Sequence, residues 1–85
     1  MHLTSHAEEQ LDVRKIPKEI VLDTVRNPQQ QTPTHGGRQI RQSQYFDPAE
    51  GKVMLIRVII EHQDEDLLVV SVYKTSRIEK YWLEE

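Results

Sequence analysis

Eighty-five residues without a cysteine describe one domain, residues 1–85, and exclude disulfides and thiolate metal sites. A chain this short buries only about 60–65% of the surface its unfolded form exposes. Hydrophobic content is 36%, so a partner or a second copy that covers apolar surface would add stability. The net charge of −3 argues against a high-affinity, non-specific nucleic-acid binder, which would carry a basic excess.

The first fifteen residues hold Glu8, Glu9 and Asp12 and no apolar run, which is not the pattern of a signal peptide. A first helix is expected from Ser5, where Ser5 and Glu8 fit a Ser-x-x-Glu capping box. Ala7 and Leu11 make its narrow apolar stripe, with His6, Gln10 and Arg14 stepping by four along an adjacent polar face. It ends near Arg14-Lys15. A second helix follows Pro17, which suits the first helical position because no N–H is needed there. Ile20, Val21, Thr24 and Val25 form one face, and Asn27-Pro28 is a stop signal. The two helices form an αα-hairpin.

Residues 29–38, "QQQTPTHGGR", read as a loop or the entry to a strand, punctuated by Pro33 and Gly36-Gly37. Residues 39–46 alternate loosely, with Ile40 and Phe46 on one face and Arg41 and Tyr45 on the other. "DPAEGK" (47–52) is a turn. "VMLIRVII" (53–60) is a strand with apolar residues on both faces, which suggests a central place in the sheet. "EHQDED" (61–66) turns the chain, and "LLVVSVYKT" (67–75) returns. Pairing position 57 with about 71 puts Arg57, Ser71, Tyr73 and Thr75 on one face, while a one-residue slip would separate them. The fold class is α+β: an N-terminal αα-hairpin packed on a curved, three- to four-stranded antiparallel sheet. The run 53–60, broken by Arg57, is too short to span a membrane, and a cytoplasmic protein without membrane contact is expected.

Charge is uneven along the chain. Residues 26–60 sum to +3, residues 61–66 to −4, and residues 73–81 to +2. A small basic cleft is compatible with the acidic total, because field focusing depends on local charge.

Two stretches together resemble the domain-of-unknown-function family 4258. "HAEEQLDVRKIPKEIVLDTVRNP" resembles its opening, with His6, Ala7, Arg14, Ile16 and Asn27-Pro28 matching. Gln10 stands where the family often has Arg, and Leu11 where it often has Met. "LIRVII…LLVVSVYKTSRIEKYW" resembles its closing hairpin, an Arg-containing strand followed by a Val-x-Val-Tyr-x-Thr-Ser tail. The resemblance spans nearly the whole chain. It implies a fold like that of small bacterial toxins of the RelE and BrnT kind, and with it metal-independent RNA cleavage. RNA is then the expected substrate and a small antitoxin-like protein the expected partner. Activity does not follow from fold, so the site has to stand on its residues.

Metal-free RNA cleavage needs proton transfer at the 2′ and 5′ oxygens and stabilisation of the phosphate charge. His6 is the candidate acid or base, because an ordinary histidine titrates near neutral pH; otherwise it only solvates the helix start. Arg14 is either a phosphate contact or a helix-end cation. Arg57, a charge inside an apolar strand, must be paired, reach water or bind phosphate; Glu61 is one structural partner to consider. Tyr73 either orients substrate or packs on the sheet. Together His6, Arg14, Arg57 and Tyr73 are the candidate catalytic set. Arg41, Lys74, Thr75, Arg77 and Lys80 are candidate substrate contacts, and Lys74, Arg77 and Lys80 read equally as a solvated face. Tyr81 and Trp82 fit a cover over apolar surface. His2, His35 and His62 show no ligand spacing, "HGGR" lacks the helix of a phosphate loop, and no metal or cofactor is expected. The rival to the ribonuclease is a non-catalytic binding or regulatory module that pairs with a small protein or as a homodimer.

Overall fold

The computed structural model describes residues 1–84. Two helices, α1 (Ser5–Arg14) and α2 (Lys18–Arg26), lie on one face of a five-stranded sheet. Its strands are β1 (His2–Leu3), β2 (Gln30–Pro33), β3 (Gln39–Asp47), β4 (Lys52–Gln63) and β5 (Asp66–Thr75). A single helical turn, α3 (Ile78–Tyr81), follows β5. The spatial order is β1-β5-β4-β3-β2, with β2 to β5 antiparallel and β1 parallel to β5. The sheet is therefore mixed and five-stranded, not the three- to four-stranded antiparallel sheet that the pattern suggests. The two extra strands lack apolar alternation: β1 is two residues long and β2 lies in the glutamine-rich stretch. Both form because a neighbouring strand supplies their ladder.

The αα-hairpin forms as its periodicity predicts, with different caps. Thr4, not Ser5, caps α1: its Oγ1 accepts from the Ala7 N–H at 3.0 Å. Thr4 has the extended backbone an N-cap needs, because its own N–H donates to the Val69 carbonyl and continues the pairing of β1 with β5. Lys15, at φ 54°, closes α1. Pro17 sits one position before α2, as its cap. Ala7, Leu11, Ile16, Val21 and Val25 from the helical side then meet Ile56, Val58, Ile60, Val69 and Val72 from the sheet. Among the described residues no helix is long and apolar enough to cross a membrane.

The β4–β5 hairpin turns at Asp64-Glu65, so the strands run through most of the acidic "EHQDED" stretch. Asp64 takes a positive φ of 55°, which Asp tolerates better than most residues. Near the turn, Gln63 pairs with Asp66 and Ile60 with Val69. At Ile59 the register shifts, and Ile59 pairs with Ser71. Val70 is the extra residue, a β-bulge. Beyond it Arg57 pairs with Tyr73, not with position 71. The difference of two residues keeps the same parity, so Arg57, Ser71, Tyr73 and Thr75 still share a face. If Val70 were paired instead of bulged out, Val72 would oppose Arg57 and Tyr73 would point to the helices.

The cap assignment can be checked by urea unfolding. Thr4→Ala should lower stability by about 1 kcal/mol. Ser5→Ala should leave it within about 0.5 kcal/mol of wild type. Equal losses for the two variants would show that Ser5 shares the capping role.

Candidate functional site

The face of the sheet away from α1 and α2 carries a polar row across four strands. Gln30 pairs with Gln42, Gln42 with Arg57, and Arg57 with Tyr73. The side chains are linked in the same order. Gln42 Nε2 donates to Gln30 Oε1 at 2.8 Å, and Arg57 Nε donates to Gln42 Oε1 at 2.9 Å. Arg57 Nη1 donates to the Tyr73 hydroxyl. Gln30 and Gln42 are only 5% and 1% exposed, and such burial is tolerable because their amides are bonded.

The C-terminal segment lies over this row. Gln30 grips the Leu83 backbone twice, donating from Nε2 to its carbonyl at 2.9 Å and accepting its N–H at 3.0 Å. Gln42 Nε2 also donates to the Tyr81 carbonyl at 3.1 Å. The Arg57 guanidinium carbon lies 4.2 Å from the centroid of the Tyr81 ring and 5.6 Å from that of Tyr73. The two rings meet edge to face at 6.3 Å. Each such cation–π contact contributes about 0.5–1 kcal/mol where partly exposed. Leu55, on this same face, is fully buried.

The remaining candidates lie off this row, and Arg14 and Lys74 come together, lining one cavity with Val13, Lys15, Ala49, Glu50 and Met54. His6 and Arg14 are exposed at opposite ends of α1, about 12 Å apart along its axis. Neither has a hydrogen bond or ion pair to Arg57 or Tyr73, and α1 packs on the other face of the sheet. The residue between them, Gln10, serves the fold: its Oε1 accepts the Val72 N–H at 2.7 Å and the Ser71 hydroxyl at 3.2 Å. It thereby satisfies the stretch of β5 edge that β1 is too short to pair. Arg41 also faces the helices, where its Nη1 donates to the Val25 carbonyl in the last turn of α2. That position suits a cation at a helix C-terminus and takes Arg41 out of any open-face contact. Lys74 is 10% exposed and pairs with Asp47, itself 4% exposed, at 2.7 Å on the helix-covered face. Period-two alternation puts Lys74 opposite in direction to Tyr73, so Lys74 is not on the open face. Thr75 Oγ1 accepts the Arg77 N–H at 3.0 Å and starts the turn into α3. Arg77 and Lys80 are exposed, and Lys80 Nζ lies 5.3 Å from the Tyr81 ring centroid. Glu61 pairs with Arg38, not with Arg57.

The open face thus holds Arg57, Tyr73 and Thr75 of the candidate set, with Arg77 and Lys80 on the adjoining α3 segment. It adds Gln30 and Gln42, which the sequence did not single out, and Tyr81, which it expected only as a cover. Period two would place Gln42 beside Arg57 only once the β3–β4 register was known. Gln30 carries no such signal, because β2 has no pattern of its own. The chemistry available is that of a half-buried guanidinium whose hydrogen-bond partners among the described residues, Gln42 and Tyr73, are neutral. Among the described residues no carboxylate pairs with Arg57. Nor does any group of three or more His, Cys, Asp or Glu side chains assemble there that could hold a metal. No family model, curated protein or solved structure matches the chain.

The Asp47–Lys74 pair makes a pH prediction. The Lys74 ammonium beside it, with the Tyr45 hydroxyl and the Ala49 and Glu50 N–H groups, holds the Asp47 carboxyl down at about 2, against an ordinary 3.8. Burial, with the Asp47 carboxylate next to it, pushes the Tyr45 phenol up. A depressed carboxyl pKa contributes stability that is complete above the unfolded value and lost as pH falls through the folded one. The urea midpoint should therefore fall between about pH 4 and about pH 2. Asp47→Asn should be less stable than wild type at neutral pH and should flatten that acid limb. An acid limb of unchanged depth in the variant would assign it to other carboxylates.

Proposed function

We propose that this chain is an RNA-binding domain of the small toxin type, of RelE/BrnT-like fold, and that Arg57 on the open sheet face takes a phosphate group. One observation carries the reading. Two other cations are paired with carboxylates, Lys74 with Asp47 and Arg38 with Glu61, while Arg41 lies at the C-terminal end of α2 with its Nε buried and unpartnered among the described residues. Among the described residues, Arg57 is half-buried with neutral hydrogen-bond partners and aromatic rings. A desolvated charge without a counter-charge is costly, and an anionic ligand would compensate it. Arg is also suited to phosphate through its planar fork of donors. Arg77 and Lys80 add positive charge on the neighbouring segment, and Tyr73 supplies a hydroxyl next to the guanidinium. The resemblance to family 4258 supplies the substrate class, RNA, and metal-independent cleavage as the reaction, with Tyr73 orienting the substrate or moving a proton.

The rival reading is a non-catalytic module that binds without cleaving, alone or with a small antitoxin-like partner or second copy. The position of His6 favours it: the candidate acid or base lies on the helix that packs against the other face.

Both readings meet in one experiment. Labelled single-stranded RNA is titrated with the protein at low salt in EDTA, and the product is run on a gel. Arg57→Ala should weaken binding by about tenfold or more, the scale of a lost charged hydrogen bond. RNA cleavage by the wild type, lost in Tyr73→Phe, would support the ribonuclease. Binding without cleavage would support the module. Equal RNA affinity in wild type and Arg57→Ala would remove the phosphate role altogether.

A further inference from the structure

The open face is occupied by the chain itself, and what occupies it has a recognisable chemistry. The Arg57 guanidinium carbon lies over the Tyr81 ring, 4.2 Å from its centroid. Two residues on, the Leu83 amide presents one donor and one acceptor, and Gln30 answers with one acceptor and one donor at 3.0 and 2.9 Å. A ring stacked on an arginine plane, with a donor–acceptor edge read by a carboxamide, is how proteins hold an unpaired nucleobase. The covering segment is lightly held. None of the α3 residues is buried, and Leu83 is 40% exposed. Segments with few buried apolar contacts open at low free-energy cost.

Resting on the phosphate reading above, we infer that Gln30, Gln42 and Arg57 form a binding site for one unpaired RNA base, and that Tyr81–Leu83 fills it in the free protein. RNA enters by displacing this segment. The base then stacks on Arg57 where Tyr81 lies, and its hydrogen-bonding edge meets Gln30. A peptide with the same aromatic-x-amide pattern could satisfy Gln30, but it would leave the Arg57 charge without an anion. A nucleotide brings its phosphate, which is why the charge favours RNA.

The test uses Leu83→Pro. Proline removes the N–H that Gln30 accepts, and the extended backbone of Trp82 (φ −70°, ψ 129°) is the conformation preferred before proline. No side chain of the site changes. Anisotropy titrations with labelled oligoadenylate should show Leu83→Pro binding about three- to tenfold tighter than wild type, the equivalent of one net hydrogen bond. Adding Gln30→Ala to Leu83→Pro should then weaken binding by about tenfold, the scale of a bidentate base contact. A duplex of the same length should gain nothing from Leu83→Pro, because it offers no free base. Hydrogen exchange on the wild type gives a second measurement: residues 76–84 should lose protection as RNA is added.

Unchanged affinity in Leu83→Pro, or unchanged protection of 76–84, overturns displacement. Equal affinity of Leu83→Pro with and without Gln30→Ala, or an equal gain for duplex, overturns the base site while leaving a phosphate contact. Binding of a peptide spanning residues 77–84 without any RNA binding overturns the RNA assignment. RNA affinity indifferent to Arg57→Ala removes the phosphate reading itself, and the inference with it.

Discussion

One extra residue in β5 organises the functional face. Val70 has no partner on β4, and from that point the hairpin register is displaced by one. The displacement turns Tyr73 to the side of Arg57 and leaves Val72 in the core against Val58. The N-terminal segment sits at the bulge. β1 pairs with Leu68 and Val69, and Thr4 donates from its hydroxyl to the Val70 carbonyl at 3.4 Å. The same Thr4 caps α1, so the bulge, the first helix and the edge of the sheet are fixed at one place. Bulges re-aim side chains without disturbing the rest of the ladder, and this one separates an apolar face from a polar row.

The two faces treat positive charge differently. On the helix-covered face Lys74 has a carboxylate, and Arg41 meets a helix end with its Nε left unpartnered among the described residues. On the open face Arg57 is surrounded by a carboxamide, a phenol and two rings, none of which carries a formal negative charge. These groups orient the guanidinium but do not neutralise it. Orientation without neutralisation is what distinguishes a receptor for an anion from a structural ion pair, and the RNA-binding reading rests on that distinction.

The cover over the open face belongs to the same logic. Gln30 and Gln42 are almost fully buried, and buried amides need partners. In the free protein the backbone of Tyr81 and Leu83 provides them. In the proposed site, a ligand that replaces this segment would have to offer equivalent donors and acceptors, so selectivity and self-occupancy would share one origin.

Much of the architecture was legible in the sequence. The 3.6-residue pattern of Ile20, Val21 and Val25, the Asn27-Pro28 stop, and the period-two pattern of 53–60 each report a local preference, and local preference sets which face of an element is apolar. The parity that groups Arg57 with Tyr73 and Thr75 was also reachable, although the register behind it is two residues away from the one the pattern suggests. Other features were decided only by the fold. The Thr4 cap depends on β1 pairing with β5. β2 exists because β3 lies beside it. Arg41 and Lys74 read as exposed basic residues, yet the strands carry them to the helix-covered face, where Val25 and Asp47 meet them. His6 and Arg14 share a helix with Gln10 and not a site with Arg57. The row from Gln30 to Tyr73 joins residues 43 positions apart across four strands. Periodicity is a property of neighbouring residues and is written in the sequence. Register, bulge position and the course of the C-terminal segment are set by contacts between distant residues, and only the tertiary structure decides those.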